Sequence, residues 1–224
     1  GNSEAMLRKV LDLLEERNLP SPDTVYLTHS HWDHTFGLSL LDKNVKIIST
    51  TKTSRLMETD NVRLVDTAKA LSTIAIFDNK DYLSLIEEYP GTELDKFCLT
   101  HMYEEYGLNY DHIKFRFPNL KIAHSDTQTQ GTVADALKMI VIRSPHSSDS
   151  SIYFHIEDKI LYLGDSMYDD FNTEVYSERD ITNIIKPFYR KLEKLAFNVA
   201  IPSHSPVLTK EQVLKFMRDK YNID

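Results

Sequence analysis

The stretch LTHSHWDHTFGL, residues 27–38, places three histidines and an aspartate within six positions, directly after an apolar run. Imidazole and carboxylate crowded where a strand runs out need partners, because such groups are costly to withdraw from water alone. Residues two apart in an extended segment point the same way, so His29 and His31 can grip one ion. Asp33 and His34 lie just past the turn and can face a second ion. This donor set suits zinc, manganese or iron, and the lack of thiolate argues against a purely structural zinc.

Other candidate ligands share that address. The hydrophobic periodicity predicts a first helix over SEAMLRKVLDLLEERNLP, with Ser3 as N-cap and Ala5, Met6, Val10, Leu13 and Leu14 on its inner face. TVYLTH and VKIIST read as strands around a helical HTFGLSLLD, a βαβ rhythm. DYLSLIEEYP and TELDKFCLTHMYEEYG have helical periodicity, and HIKFRFP alternates as an edge strand would. ALKMIVIRSPH is a strand ending at His146, and SSIYFHIEDKILYLGDS is a hairpin leaving at Gly164-Asp165. In that hairpin the alternation Tyr153, His155, Glu157 assigns His155 to a solvent face. ITNIIKPFYRKLEKLAF is a helix kinked or started at Pro187. NVAIPSHSP is a strand ending at His204, and TKEQVLKFMRDKY is a last helix with Thr209 as N-cap. His29, His31, Asp33, His34, His146, Asp165 and His204 therefore all follow apolar strands, where layered α/β folds carry their sites. A closed structural site needs four ligands; seven imply two ions, a shared carboxylate and open positions.

Composition narrows the function classes. The 224 residues carry a net charge of −8 and 41% hydrophobic residues, ordinary for a globular chain. An acidic chain lacks the basic footprint of nucleic-acid binding. No apolar run approaches the ~20 residues of a membrane span, and no leader pattern opens the sequence. The single cysteine, Cys98, excludes an internal disulfide and fits a cytoplasmic location. No linker divides the chain, so one domain over 1–224 is expected.

THSHWDH, SPHSSDSS, LYLGDS and PSHSP, in that order, resemble the motifs of the metallo-β-lactamase fold superfamily of metal-dependent hydrolases. The resemblance implies a four-layer αββα sandwich of the α/β (α+β) class. It implies one ion held by His29, His31 and His146, a second by Asp33, His34 and His204, and Asp165 bridging them. A hydroxide between the ions would attack a carbonyl or phosphorus centre, with Asp33 orienting it. Zinc is the leading identity for the two divalent ions, with manganese and iron as alternatives. The chain opens at GNSEAML, directly at the first helix, so the family's N-terminal strands are expected to be missing. A sheet edge bared in this way favours pairing of two copies into a homodimer. The long interval between His34 and His146 points to a helical insert over about 78–112, rich in tyrosine, that serves either ordinary helix packing or as a lid over the substrate.

The expected substrate is a small ester, lactone, thioester or phosphodiester, with no nucleic-acid or membrane partner. Lactone-cleaving members place a tyrosine near the site, and GDSMYDDFNTEVYS offers Tyr168 and Tyr176 for that role. The alternative is an iron-binding redox or non-hydrolytic member of the same superfamily.

Overall fold

The computed structural model describes residues 3–123, 132–134, 136–167 and 176–223. The chain forms two compact units: residues 1–23, 30–45 and 54–117 in one, and 24–29, 46–53 and 118–224 in the other.

The first unit is helical. Helix α1 (Glu4–Glu16) starts where the Ser3 hydroxyl accepts the Met6 amide, as the sequence predicts. The helix carries two apolar stripes, and packing selects a different one from that expected. Leu7 is buried, while Met6, Val10 and Leu13 are more than 40% exposed. A single turn, α2 (Trp32–Thr35), runs into a 3₁₀ turn over Phe36–Leu40. Helix α3 (Thr51–Leu56), which begins in the other unit, passes through a π turn at Met57–Asn61 into α4 (Val62–Phe77). Helices α5 (Tyr82–Glu88) and α6 (Glu93–Tyr106) occupy most of the 78–112 stretch. Thr92 and Asp95 form a reciprocal cap on α6, and Asp95 also takes the Arg63 guanidinium. The core joins Trp32, Phe36, Leu64, Val65, Ala68, Leu99 and Met102 with a group of tyrosines.

Residues 112–118 are not the expected edge strand. Their alternation comes from docking: Ile113 is buried and Phe115 meets Phe36 edge-on at 5.6 Å. Within the same stretch, Arg116 donates to the carbonyls of Leu41, Asp42, Lys43 and Val45, so its guanidinium closes the loop after the 3₁₀ turn.

The second unit is built on two sheets. Strands β1 (Thr24–Tyr26), β2 (Lys46–Thr50) and β3 (Leu120–Ile122) form a parallel sheet in that order. Strands β4 (Thr132–Ala134), β5 (Leu137–Val141), β6 (Ser151–His155), β7 (Ile160–Gly164), β8 (Val199–Pro202) and β9 (Leu208–Thr209) form a mixed sheet in sequence order. The β6–β7 hairpin pairs antiparallel, as read from its sequence. One face of the mixed sheet packs Met139, Val141 and Tyr153 against Tyr26 and Ile122 of the smaller sheet. His155 shares that face with buried Tyr153, so its side is the inter-sheet one; its ring, 30% exposed, reaches Asp158.

The opposite face packs Ile140, Ile152, Leu161, Leu163 and Ala200 against two helices. These are α8 (Lys186–Lys194) and α9 (Lys210–Tyr221); a short α7 (Glu178–Asp180) and a π turn at Ile181–Ile185 lead into α8. Pro187 is the second residue of α8, directly after the π turn, so the helical run that begins at Glu178 continues through it. Thr209 caps α9 in a reciprocal box with Gln212. Among the described residues, no helix is long and apolar enough to cross a membrane.

Candidate metal centre

In the second unit, four predicted ligands converge through backbone register. The chain leaving β1 is gripped three times: Leu27 N donates to Ile48 O at 2.9 Å, Ser151 N to Thr28 O at 2.7 Å, and Tyr153 Oη to Leu27 O at 2.8 Å. His29 follows, 1% exposed, with its Nδ1 3.1 Å from Thr28 Oγ1. That contact orients the ring and turns Nε2 toward Asp165, as outer partners of metal-binding histidines do. Asp165 stands where β7 ends. Gly164 before it has φ of +55°, and a Cβ there would come 2.7 Å from Thr28 Cβ, so only glycine allows the approach. Ser203 N bonds Gly164 O at 3.0 Å and carries β8 past this corner to His204.

Three imidazoles thus surround one carboxylate. Asp165 Oδ2 lies 3.8 Å from His29 Nε2, 3.6 Å from His146 Nε2 and 3.3 Å from His204 Nε2. The His29 and His146 rings meet at 89° with centroids 5.1 Å apart. Two ligands at the usual 2.0–2.1 Å from a tetrahedral ion stand roughly 3.3 Å apart, so these separations suit donors that share a cation. Asp165 is 4% exposed and His204 37%, so the group opens to solvent on the His204 side.

In the first unit, His31, Asp33 and His34 sit on one tight turn. His31 is the residue before α2, and His34 N bonds its carbonyl at 3.0 Å. The His34 Nε2 to Asp33 Oδ2 distance is 3.2 Å, with His34 nearly buried and Asp33 about one-third exposed. Two polar residues hold the turn. Thr35 Oγ1 donates to His31 O at 3.0 Å, and the buried Asn61 amide donates to Ser30 O at 2.8 Å and to Thr35 Oγ1 at 3.0 Å. Asn61 closes the π turn, whose extra residue aims it inward; such turns cluster at functional sites. Sequence reasoning missed Asn61, because a lone asparagine in METDNVRL carries no periodic or motif signal.

Among the described residues, the candidate ligands His29, His146, Asp165 and His204 come together in the second unit, and His31, Asp33 and His34 share one turn in the first. Tyr176 has its ring edge-on to Tyr221 at 5.4 Å, beside the helix-side core of the second unit. Tyr168 lies outside the described residues.

The family model of the Metallo-beta-lactamase superfamily matches residues 1–204. No curated protein sequence matches the chain. Among solved structures, the metallo-beta-lactamase from Pontibacter korlensis is 16% identical, with a TM-score of 0.55 over 100% of this chain and 79% of that one. The enzyme from Hirschia baltica is 13% identical, with a TM-score of 0.56 over 98% and 77%. FIM-1 from Pseudomonas aeruginosa, in its mono-zinc form, is 10% identical, with a TM-score of 0.57 over 98% and 75%. At such identities the likeness is one of fold, and it matches the mixed sheets and helices to the αββα class. The family match, together with the His/Asp donor set, supports a metal-dependent hydrolase in general terms. The chain belongs to the metallo-beta-lactamase superfamily.

Proposed function

We propose that the protein is a dinuclear metal-dependent hydrolase acting on a small ester, lactone, thioester or phosphodiester. One observation carries the reading: three imidazoles converge on the Asp165 carboxylate at 3.3–3.8 Å. The covalent chain brings the rest. His31 is two residues beyond His29, so their Cα atoms are at most ~7 Å apart, and Asp33 and His34 follow within one turn. On this assignment His29, His31 and His146 hold one ion and Asp33, His34 and His204 the other, with Asp165 shared. When bound, the ions would supply a hydroxide near neutral pH and positive charge for the developing oxyanion.

The chain's own groups do the rest. Asp33, the most exposed acid of the set, accepts a hydrogen bond from the attacking water and orients it. Buried Asp165 supplies negative charge that offsets the ions, and Thr28 holds the His29 ring. Zinc is the proposed metal, consistent with the donor set and with the mono-zinc state of one structural neighbour.

The test is metal content by mass spectrometry on protein purified without added metal, followed by an ester, lactone, thioester and phosphodiester panel. About two zinc ions per chain with turnover of one substrate class is the expected result. Bound iron with visible absorbance would replace the hydrolase by a redox member, and no metal affinity would end the enzyme reading.

A further inference from the structure

The turn that presents His146 is made almost wholly of serines and one aspartate, Ser144-Pro145-His146-Ser147-Ser148-Asp149-Ser150. Its hydroxyls close it. Ser144 Oγ lies 2.7 Å from Ser150 Oγ, Ser150 Oγ donates to Ser147 O at 3.0 Å, and Ser147 N donates to Ser144 Oγ at 3.2 Å. The start of α3 clamps it: Lys52 Nζ donates to Ser148 O at 2.7 Å and Thr53 Oγ1 to Asp149 O at 3.2 Å.

Asp149 is fully buried at the base of this turn. Its Oδ1 accepts the hydroxyl of Ser147, the residue next to His146. Its Oδ2, also shut off from solvent, meets no hydrogen-bond donor among the described residues. A buried carboxylate with a single donor is a costly group. Turn closure does not explain it, since the serines and the α3 clamp already achieve that. What the carboxylate adds is direction: it fixes the Ser147 hydroxyl and so the backbone that follows His146.

We propose that Asp149 is a positioning residue of the metal centre, acting through Ser147 to set the orientation of His146. The inference rests on the metal reading above. Outer partners of this kind change metal affinity by about 10–100-fold. The test is zinc affinity by chelator competition for the wild type, Asp149→Ala, Ser147→Ala, the double variant and Asp149→Asn. Hydrogen exchange of residues 143–151 is followed in parallel in the zinc-free chain.

Each alanine variant should lose about 10-fold or more in affinity. The double variant should lose no more than the worse single, because both cut one bond. Asp149→Asn keeps the Oδ1 acceptor and should stay within about three-fold of the wild type. Val213→Ala, in the helix-side core, weakens the fold elsewhere and should keep wild-type affinity. Multiplicative losses in the double variant, no rescue by asparagine, or faster exchange in Asp149→Ala at unchanged affinity would each overturn the proposal and leave the metal reading standing. A wild-type chain without zinc affinity would overturn both.

Discussion

The two ligand-bearing regions are neighbours in sequence, since the chain crosses from one unit to the other between His29 and Ser30, yet they are held by different physics. His29, Asp165 and His204 sit at strand exits, and their positions follow from ladder register, one glycine corner and backbone hydrogen bonds. Asp33 and His34 sit on a four-residue helical turn with His31 directly before it, a turn far too short to be stable by itself. That turn is secured mainly by side-chain bonds from Thr35 and Asn61. One half is set by the sheet, and the other by a few polar contacts on helices. The sheet half should fail as a unit with the fold, and the turn half should fail locally.

The largest effects should come from the sheet half. Asp165→Ala removes the group on which three histidines converge, and it should abolish binding of both ions. Retention of two ions by that variant would remove the shared-carboxylate assignment. Gly164→Ala tests the corner itself. Its backbone conformation costs a non-glycine residue roughly 1–3 kcal/mol, and the new Cβ would press on Thr28 at 2.7 Å. A fall in thermal midpoint of roughly 5–10 °C together with weakened metal binding is expected. An unchanged midpoint would show that the corner relaxes and that register does not dictate the site.

Asn61→Ala should have a smaller and more selective effect. It removes two hydrogen bonds and leaves the Ser30 carbonyl without this donor, a loss of roughly 1–3 kcal/mol. Because Asn61 acts on the turn of Asp33 and His34, zinc content should fall from about two toward one per chain. Equal weakening of both ions would break the contrast between a locally held half and a register-held half.

The same contrast explains what could be read in advance. The β6–β7 hairpin and the caps at Ser3 and Thr209 are local features, carried by alternation or capping chemistry within a few residues. Helix α4 went unread because its apolar residues face every side: Leu64, Val65, Ala68 and Leu71 are buried, while Ile76 and Phe77 are exposed. The stretch 112–118 alternates like a strand because its alternate residues dock into a helical core. Asn61 acts through two contacts to residues 31 and 26 positions away, and Asp149 through a buried carboxylate in a serine-rich turn, which no periodicity records.

The subtlest expected difference between the units is their response to alkali. Burial, reinforced by the charges of Asp33 and Asp95, pushes the Cys98 thiol up to about 12. Burial also raises Tyr82, Tyr106 and Tyr110 in the helical unit and Tyr153 in the sheet unit. These groups hold their protons more tightly folded than unfolded. Their contribution is therefore complete below their unfolded values of 9.0 and 10.0 and is lost as pH climbs above them toward the folded values. Stability should be flat up to about pH 9 and then decline, with the helical unit opening first. Trp32 and Cys98 both report on that unit. Trp32 fluorescence and alkylation of Cys98 should change at lower pH than the sheet's circular dichroism signal. Simultaneous loss of all three signals would mean that the units unfold together in alkali, and that the contrast between them is confined to the metal ligands.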